Sequence, residues 1–348
     1  MLRLLRSLFR LPRLLRRRDM LLLILVLVIS VLLHLRYNTS GGALGTESLP
    51  VSQSELRHLE PIGELDESRI PTKGEPFCFL MVNANNYFVE GEKQRAPYKL
   101  TLKKEGAREA LAEVIASRRP AVVGLLEMGG PLALQDLQTR LKKRGLDYPY
   151  FRILVRDGEA RAVAVLSSLP LVRDYSRANY GLYDNTHRRK MLRGILDVTV
   201  RPADGRLFRI IGAHLKSHVA DDARAADSLR AKEAATLAGY LQRAMKEQPR
   251  IPIAVFGDWN DNPDAPTLQV LRQGLSAASA LTLLRPTDSR GEGWTLYYRG
   301  GNEYCTYDHI YVNKVLNKRL GNNLRCGVVD IPAAAKASDH RAVWCELR

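Results

Sequence analysis

Four cysteines among 348 residues, at positions 78, 305, 326 and 345, offer no Cys-x-x-Cys spacing, which argues against a structural zinc site. The chain has no glycine-rich phosphate loop of the nucleotide-binding kind, and no Gly-x-Ser-x-Gly elbow to seat a nucleophilic serine. Internal repeats and long low-complexity tracts are missing as well. Acidic residues are outnumbered, 37 Asp and Glu against 53 Lys and Arg, leaving a net charge of +16. These absences remove zinc-finger, P-loop, serine-hydrolase and repeat architectures. What remains, at 45% hydrophobic content, is enough to bury one large core, so one catalytic domain with an N-terminal appendage is the economical reading.

Four apolar runs each stop at a polar residue suited to metal or phosphate chemistry. Phe77-Cys78-Phe79-Leu80-Met81-Val82 runs into Asn83, and Ala121-Val122-Val123-Gly124-Leu125-Leu126 into Glu127. Arg209-Ile210-Ile211-Gly212-Ala213 reaches His214, and Ile251-Pro252-Ile253-Ala254-Val255-Phe256-Gly257 reaches Asp258-Trp259-Asn260. A short continuous apolar run ending in a polar residue is the pattern of a buried strand whose end meets a cleft. Any one of them has a plain alternative, because Asn, Asp and Glu are ordinary turn residues. Four together, joined by Tyr307-Asp308-His309 and Ser338-Asp339-His340, are hard to attribute to packing.

These blocks, in this order, resemble the endonuclease/exonuclease/phosphatase superfamily, which includes pancreatic-type deoxyribonucleases, abasic-site endonucleases and sphingomyelinases. The resemblance runs from about Phe77 to Leu347, and its closest blocks are Ala213-His214-Leu215-Lys216-Ser217, Gly257-Asp258-Trp259-Asn260 and Ser338-Asp339-His340. It implies a four-layer α/β sandwich, two packed mixed sheets flanked by helices, with the site at one edge. It also implies a membrane-anchored bacterial branch, given the N-terminus described below.

The chemistry can be argued from residue types. Hydrolysis of a phosphoester needs a cation on the phosphate, a base for the water and donors for charge that grows in the transition state. Glu127 is a hard oxygen ligand suited to Mg²⁺, with Mn²⁺ a usual substitute, and Asn83 and Asp339 join it as the expected metal side. Asp258 is the expected base, and Asn260, two residues along, the expected donor to a phosphoryl oxygen. His214 and His340, with ordinary pKa values of about 6.5, are expected to act as donors or acceptors near neutrality. The resemblance gives Asp308 the task of orienting His340. Arg193 and Lys216 are the candidate phosphate contacts. His309 is read as structural, and His187 as a surface neighbour within His187-Arg188-Arg189-Lys190.

Residues 1–19 carry seven arginines against Asp19, and an apolar stretch of sixteen residues follows, from Met20 to Leu35. A spanning helix needs about 20 residues, with a range of about 17–25, and a signal-peptide core about 7–15, so length alone leaves both open. The arginine bias places the N-terminus in the cytoplasm and the catalytic domain outside. A weak cleavage site favours an uncleaved anchor over residues 20–36, with a basic helix lying on the membrane as the other reading. Residues 37–75, rich in Ser, Gly, Glu and Pro, read as a flexible linker to a catalytic domain over 76–348.

Helical patterns are expected over Leu100–Arg118, Leu132–Arg144 and Asp222–Gln248, and strands over Ala160–Leu166, Gly194–Val200 and Arg206–Ile211. In an exported domain Cys78 could bridge to Cys345 and Cys305 to Cys326, or all four could stay free. The first 36 residues hold +7 of the net charge (eight arginines against Asp19), so the remainder carries +9. That excess tilts the expected substrate toward nucleic acid. The expected protein is a monomeric, Mg²⁺-dependent phosphodiesterase and nuclease. A lipid phosphodiesterase or phosphatase is the first alternative, and an inactive binding scaffold the second.

Overall fold

The computed structural model describes residues 67, 70–93, 95, 100–182, 189–218 and 222–348. The expected basic segment, the anchor, most of the linker, His187 and Arg188 lie outside the described residues. Among the described residues no helix is long and apolar enough to cross a membrane.

Two six-stranded sheets pack face to face. The first contains β1 (Phe77–Tyr87), β2 (Val122–Met128), β3 (Tyr150–Arg156), β4 (Glu159–Ser167), β13 (Cys326–Val328) and β14 (Val343–Leu347), in the order β13-β14-β1-β2-β4-β3. The second contains β5 (Leu171–Asp174), β6 (Leu196–Val200), β7 (Phe208–His214), β8 (Ile253–Asp258), β9 (Thr282–Leu283) and β12 (Asp308–Val312), in the order β5-β6-β7-β8-β12-β9. Each sheet has one parallel pair at its centre, β1 with β2 and β7 with β8, and both pairs are joined through a helix. A separate hairpin, β10 (Leu296–Tyr298) with β11 (Glu303–Cys305), belongs to neither sheet.

Strand alternation divides the apolar residues between two faces. Phe79, Met81, Phe208, Ile210, Ala254, Phe256, Ile310 and Val312 face the space between the sheets. Phe256 is the centrepiece, edge-on to Phe79 with centroids 5.5 Å apart. Its ring lies where a Cβ on Gly124 or Gly212 would fall 2.6 or 2.4 Å away, which explains a glycine inside each of two buried strands.

Helices cover the outer faces. α1 (Glu105–Ala116) and α2 (Pro131–Lys143) bury Leu111, Ile115, Leu134, Leu137 and Leu141 against the first sheet. α3 (Ala223–Glu247) and α4 (Pro266–Gln273) bury Leu237, Leu241, Leu268 and Leu271 against the second. Two short helices, α5 (Lys314–Leu320) and α6 (Ala334–Ala337), complete the set. Sheets between helical layers make the four-layer α/β sandwich that the sequence led us to expect.

α3 begins where the sequence places it, because Asp222 caps it by accepting from the Ala225 N–H at 3.1 Å. α1 starts five residues later than the pattern implied. Lys103 N–H donates to the Phe88 carbonyl at 2.9 Å and Lys104 is extended, so residues 100–104 serve β1's loop instead. β6 begins at Leu196, not Gly194, and β7 runs on to His214, beyond the expected end at Ile211. All four cysteines are free. Cys78 pairs in register with Glu346, and Cys345 with Phe79, so that one-residue offset turns their side chains to opposite faces. Cys305 lies on the hairpin and Cys326 on the first sheet, opposite Cys345.

Candidate active site

Three of the expected residues form a single row across the second sheet. His214 ends β7 beside Asp258, its register partner on β8, and Asp258 pairs in turn with Asp308 at the start of β12. Alternation gives all three the same inward face as Phe256 and Ile310. Each is almost fully buried. Asp258 accepts from Asn83 Nδ2 at 2.9 Å and from the Asn260 N–H at 2.9 Å. His214 Nε2 stands 3.5 Å and His340 Nε2 3.8 Å from Asp258 Oδ2. His340 donates through Nδ1 to Asp308 Oδ2 at 2.7 Å, and the Asp308 N–H is held by Thr295 Oγ1 at 3.1 Å.

Burial and charge drive these groups apart. Burial pushes Asp258 up, against the pull of His340, to about 7. His340 would be lowered by burial, but Asp308 and Asp258 raise it to about 10, so it is an imidazolium. His214 is pushed well below its ordinary value, by burial first and then by Arg193 and His340, so it is neutral. Near neutrality His340 is therefore a donor, while His214 keeps one ring nitrogen to donate and one to accept. The group poised there is the carboxylate between them.

The first sheet supplies its residues differently. Asn83 ends the regular part of β1, facing inward, with Oδ1 accepting from Asn85 N–H at 2.9 Å. Strict alternation along β2 would turn Glu127 outward, alongside Leu125. Instead, the register slips between Leu125 and Met128, and Met128 takes the outer face. Glu127 itself has φ of +55°, as Asn85, Asn86 and Asn260 have +46°, +53° and +51°. Four of the six non-glycine residues with left-handed φ among those described thus cluster at this site, where backbone strain marks function. The Asn86 N–H fixes Glu127 Oε2 at 3.0 Å, and Oε1 faces His214 Nε2 at 4.0 Å.

The sequence profile of the Endonuclease/Exonuclease/phosphatase family matches residues 90–340. The chain belongs to that family. It is a hydrolase of phosphoester bonds. The match begins after Asn83, whose place in the site rests on the geometry. No curated protein matches the sequence. Among solved structures, D. rerio TDP2 complexed with single strand DNA product is similar at 18% identity and TM-score 0.53, covering 79% of this chain and 100% of that one. Sphingomyelinase C from Streptomyces griseocarneus gives 17% and 0.54 with coverages of 79% and 100%, and the human Nocturnin catalytic domain 17% and 0.53 with 78% and 94%. At such identities the likeness is one of fold.

Family members of this kind use a divalent cation, and the oxygen donors fit one. The Glu127 side chain is partly exposed, Asn86, whose N–H bonds it, has a buried Oδ1 without a hydrogen-bond donor, and Asp308 Oδ1 in the second sheet's row also lacks one. Asp339 is exposed at the mouth. Asp258, Asp308 and His340 also bring ligand atoms within 4.8 Å of one another. The Asp308–His340 hydrogen bond already occupies one ring nitrogen of that second group, whereas the Glu127 side offers carboxylate and amide oxygens, with Arg161 and Lys103 beside them. Both ends of the Asn83 amide are hydrogen-bonded within the protein, so its first task is to hold Asp258.

Other expected residues fall less centrally. Asn260 directs Nδ2 to the Leu215 carbonyl at 3.1 Å, and its backbone, not its amide, meets Asp258. Arg193 is buried, donating to the Leu215 carbonyl at 3.1 Å and facing Glu159 at 3.5 Å, so it braces the strand end behind His214. Lys216 Nζ bonds the Ser217 carbonyl at 2.9 Å. His309 is buried and bonded to the Thr306 carbonyl, with burial lowering its pKa to about 4.

Several site residues escaped the sequence reading. Lys103 reaches the Asn85 carbonyl at 3.3 Å and interacts with Asp339 and Glu127, although burial leaves its pKa lowered. Arg161 Nε lies 3.5 Å from Glu127 Oε2. Ser338 ties the two blocks together, donating to the Asn83 carbonyl at 2.8 Å while accepting from the His340 N–H. Glu233, buried on α3, accepts from the Leu192 and Lys216 N–H groups at 2.7 Å each and fixes the loops around Arg193. Only Ser338 carried a signal, its place inside a recognised block.

Proposed function

We propose that this enzyme is a Mg²⁺-dependent phosphodiesterase that acts on nucleic acid. The observation carrying the chemistry is the placement of Asp258, a buried carboxylate 3.5 Å from His214 Nε2 and 3.8 Å from His340 Nε2, which burial raises above the usual carboxylate range. As the anion it takes a proton from the attacking water, while Asn83 Nδ2 and the Asn260 N–H hold its two oxygens in place. His340, oriented by Asp308, stabilises negative charge growing on the phosphoryl oxygens, and His214 offers a neutral N–H beside it. A bound cation, held by Glu127 with Asp339 and with Asn86 nearby, would supply Lewis-acid polarisation of the phosphate.

Nucleic acid is favoured by the +9 charge outside the first 36 residues and by Lys103 and Arg161 beside Glu127. The related fold of D. rerio TDP2, complexed with a DNA product, is consistent with that choice. A lipid phosphodiesterase is the second reading, because the apolar stretch after seven arginines would hold the domain beside a bilayer. An inactive scaffold is disfavoured by the complete Asn83, Glu127, His214, Asp258, Asp308 and His340 set. Turnover of plasmid DNA, RNA, sphingomyelin vesicles and a simple phosphodiester, each with Mg²⁺ and with EDTA, tests the proposal. Mg²⁺-dependent cleavage of nucleic acid is expected, and hydrolysis of sphingomyelin alone would overturn it. The anchor over residues 20–36 is part of the same proposal. Protease added to intact spheroplasts should release an active domain starting between residues 37 and 75, and protection until lysis would place the domain inside.

A further inference from the structure

Two of the free thiols face each other across the edge of the first sheet. β13 and β14 run antiparallel with Cys326 opposite Cys345, Gly327 opposite Trp344 and Val328 opposite Val343. Just beyond the strand, in the same register, the Glu346 N–H donates to the Arg325 carbonyl at 2.8 Å, and the Val329 N–H donates to the Ala342 carbonyl at 2.8 Å. Hydrogen-bonded and non-hydrogen-bonded pairs alternate along an antiparallel ladder, so Cys326 and Cys345 occupy a non-hydrogen-bonded pair. The Cα atoms of such a pair stand about 4.5 Å apart, inside the range of about 4.4–6.8 Å that a disulfide spans.

The side chains also share a face. Cys345 belongs to the buried cluster between the two sheets, and Cys326 packs against that cluster. Trp344 lies on the other face, where a Cβ on Gly327 would fall 2.8 Å from its indole nitrogen. Cys78 is a poorer partner for either thiol. It turns away from Cys345, and β14 separates it from Cys326, two strand spacings or roughly 9–10 Å.

Reaching Cys345 requires the edge to open. Its side chain is wholly buried, and burial raises both thiols above their ordinary range, which keeps them protonated and slow to react while β13 is in place. β13 is suited to opening, being three residues long and the outermost strand of its sheet, with Cys326 half-buried. Short edge elements with few buried contacts open locally at lower free energy than central strands.

We infer that Cys326 and Cys345 form a cross-strand disulfide under oxidising conditions. The bond ties β13 to β14 and closes a loop over residues 326–345 that contains Ser338, Asp339 and His340. With a small-molecule disulfide such as oxidised glutathione as the oxidant, the Cys326 thiolate attacks one glutathione sulfur and expels the other as a thiolate. The Cys345 thiolate then attacks Cys326 Sγ and expels the second glutathione. Two protons and two electrons leave the protein, and one glutathione disulfide becomes two thiols.

The test incubates the full-length protein with oxidised glutathione or with dithiothreitol, counts thiols after denaturation, and maps tryptic peptides without reduction. Trypsin cuts after Arg325, Lys336 and Arg341, so the bond would join peptide 326–336 to peptide 342–348. The four thiols of the reduced chain should fall to two, with that linked pair present. Tm should rise by about 5 °C over the reduced protein, because the closed loop restricts the unfolded chain. Cys326→Ser, a change at a half-buried position, should lose both the linked peptide and the Tm difference between the two treatments. Four surviving thiols, glutathione retained on Cys326, or a linkage to Cys78 or Cys305 would overturn the pairing. A linked pair with unchanged Tm would overturn its role in tying down the edge. The mapping on the wild type decides the pairing whether or not the variant folds.

Discussion

The second sheet delivers His214, Asp258 and Asp308 from three neighbouring strands as one hydrogen-bonded row, whereas the first delivers Glu127 by breaking its own alternation. In the second sheet the regular ladder does the positioning, so the groups are buried and their pKa values are driven apart. In the first, a register slip and three left-handed residues, Asn85, Asn86 and Glu127, turn a carboxylate into a cleft that remains partly open to water. Proton transfer benefits from a fixed, dry environment, while a cation and a substrate must be able to enter. The division of labour follows from those opposite needs.

If the buried row carries the chemistry, its removal has the largest effect. Asp258→Asn and His340→Ala are each expected to lower turnover by at least about a hundredfold, the scale of a general acid–base group. Folding should survive, as seen by unchanged far-UV circular dichroism, because Asp258 lies at the end of β8 and His340 in the segment that precedes β14. Near-wild-type turnover by either variant would move the base elsewhere and dissolve the contrast between the sheets.

Burial in the second sheet also brings acid sensitivity. His309, next to Asp308 on β12, has its pKa lowered to about 4, while an unfolded histidine titrates at about 6.5. Between those values the unfolded chain binds the extra proton, so stability is full above about pH 6.5 and is lost as pH falls toward 4. The loss is on the order of 3 kcal/mol at pH 4, taking 1.36 kcal/mol per unit. Urea unfolding across that range should show the slope, and His309→Gln should reduce it, with His214, also held neutral by burial, leaving a remainder of the same sign. An equal slope in the variant would assign the sensitivity to other groups.

The metal half is tested by Glu127→Gln, which keeps the shape and removes the charge. The Mg²⁺ concentration for half-maximal turnover should rise by about tenfold or more, with kcat recovered at high Mg²⁺. An unchanged titration curve would move the cation to Asp258, Asp308 and His340, and both halves of the site would then belong to the second sheet.

The same contrast explains what could be read in advance. Ladder-delivered residues are legible because a buried strand writes an apolar run that stops at its functional end, as Ile253 to Asp258 does. The sandwich was legible for that reason too. Glu127 was found by type and place, but its φ, the slip that aims it and the carbonyl turned toward Lys103 leave no trace in composition. Lys103 sits in a stretch with a helical pattern, but its N–H bonds the Phe88 carbonyl and Lys104 is extended, so α1 begins after it. The split between His214 and His340 was also invisible, because two identical residue types acquire opposite charge states from neighbours far away in sequence. Arg193, chosen for its charge, turned out to spend that charge on backbone carbonyls.

The smallest effect probes the strain itself. Asn85 has φ of +46°, a region asparagine tolerates better than most residues and glycine adopts freely. Its N–H and carbonyl, which bond Asn83 Oδ1 and Lys103 Nζ, are backbone groups that any substitution keeps. Asn85→Ala should therefore cost about 1 kcal/mol in chemical denaturation, through backbone strain and the lost side-chain contact with Asn86. Asn85→Gly should stay within a few tenths of a kcal/mol of wild type, because relief at positive φ offsets the added freedom of the unfolded chain. Equal losses in the two variants would locate the cost in the side-chain contact. In that case the left-handed turn would be unstrained, and the first sheet would bring Glu127 to the cleft by its register slip alone.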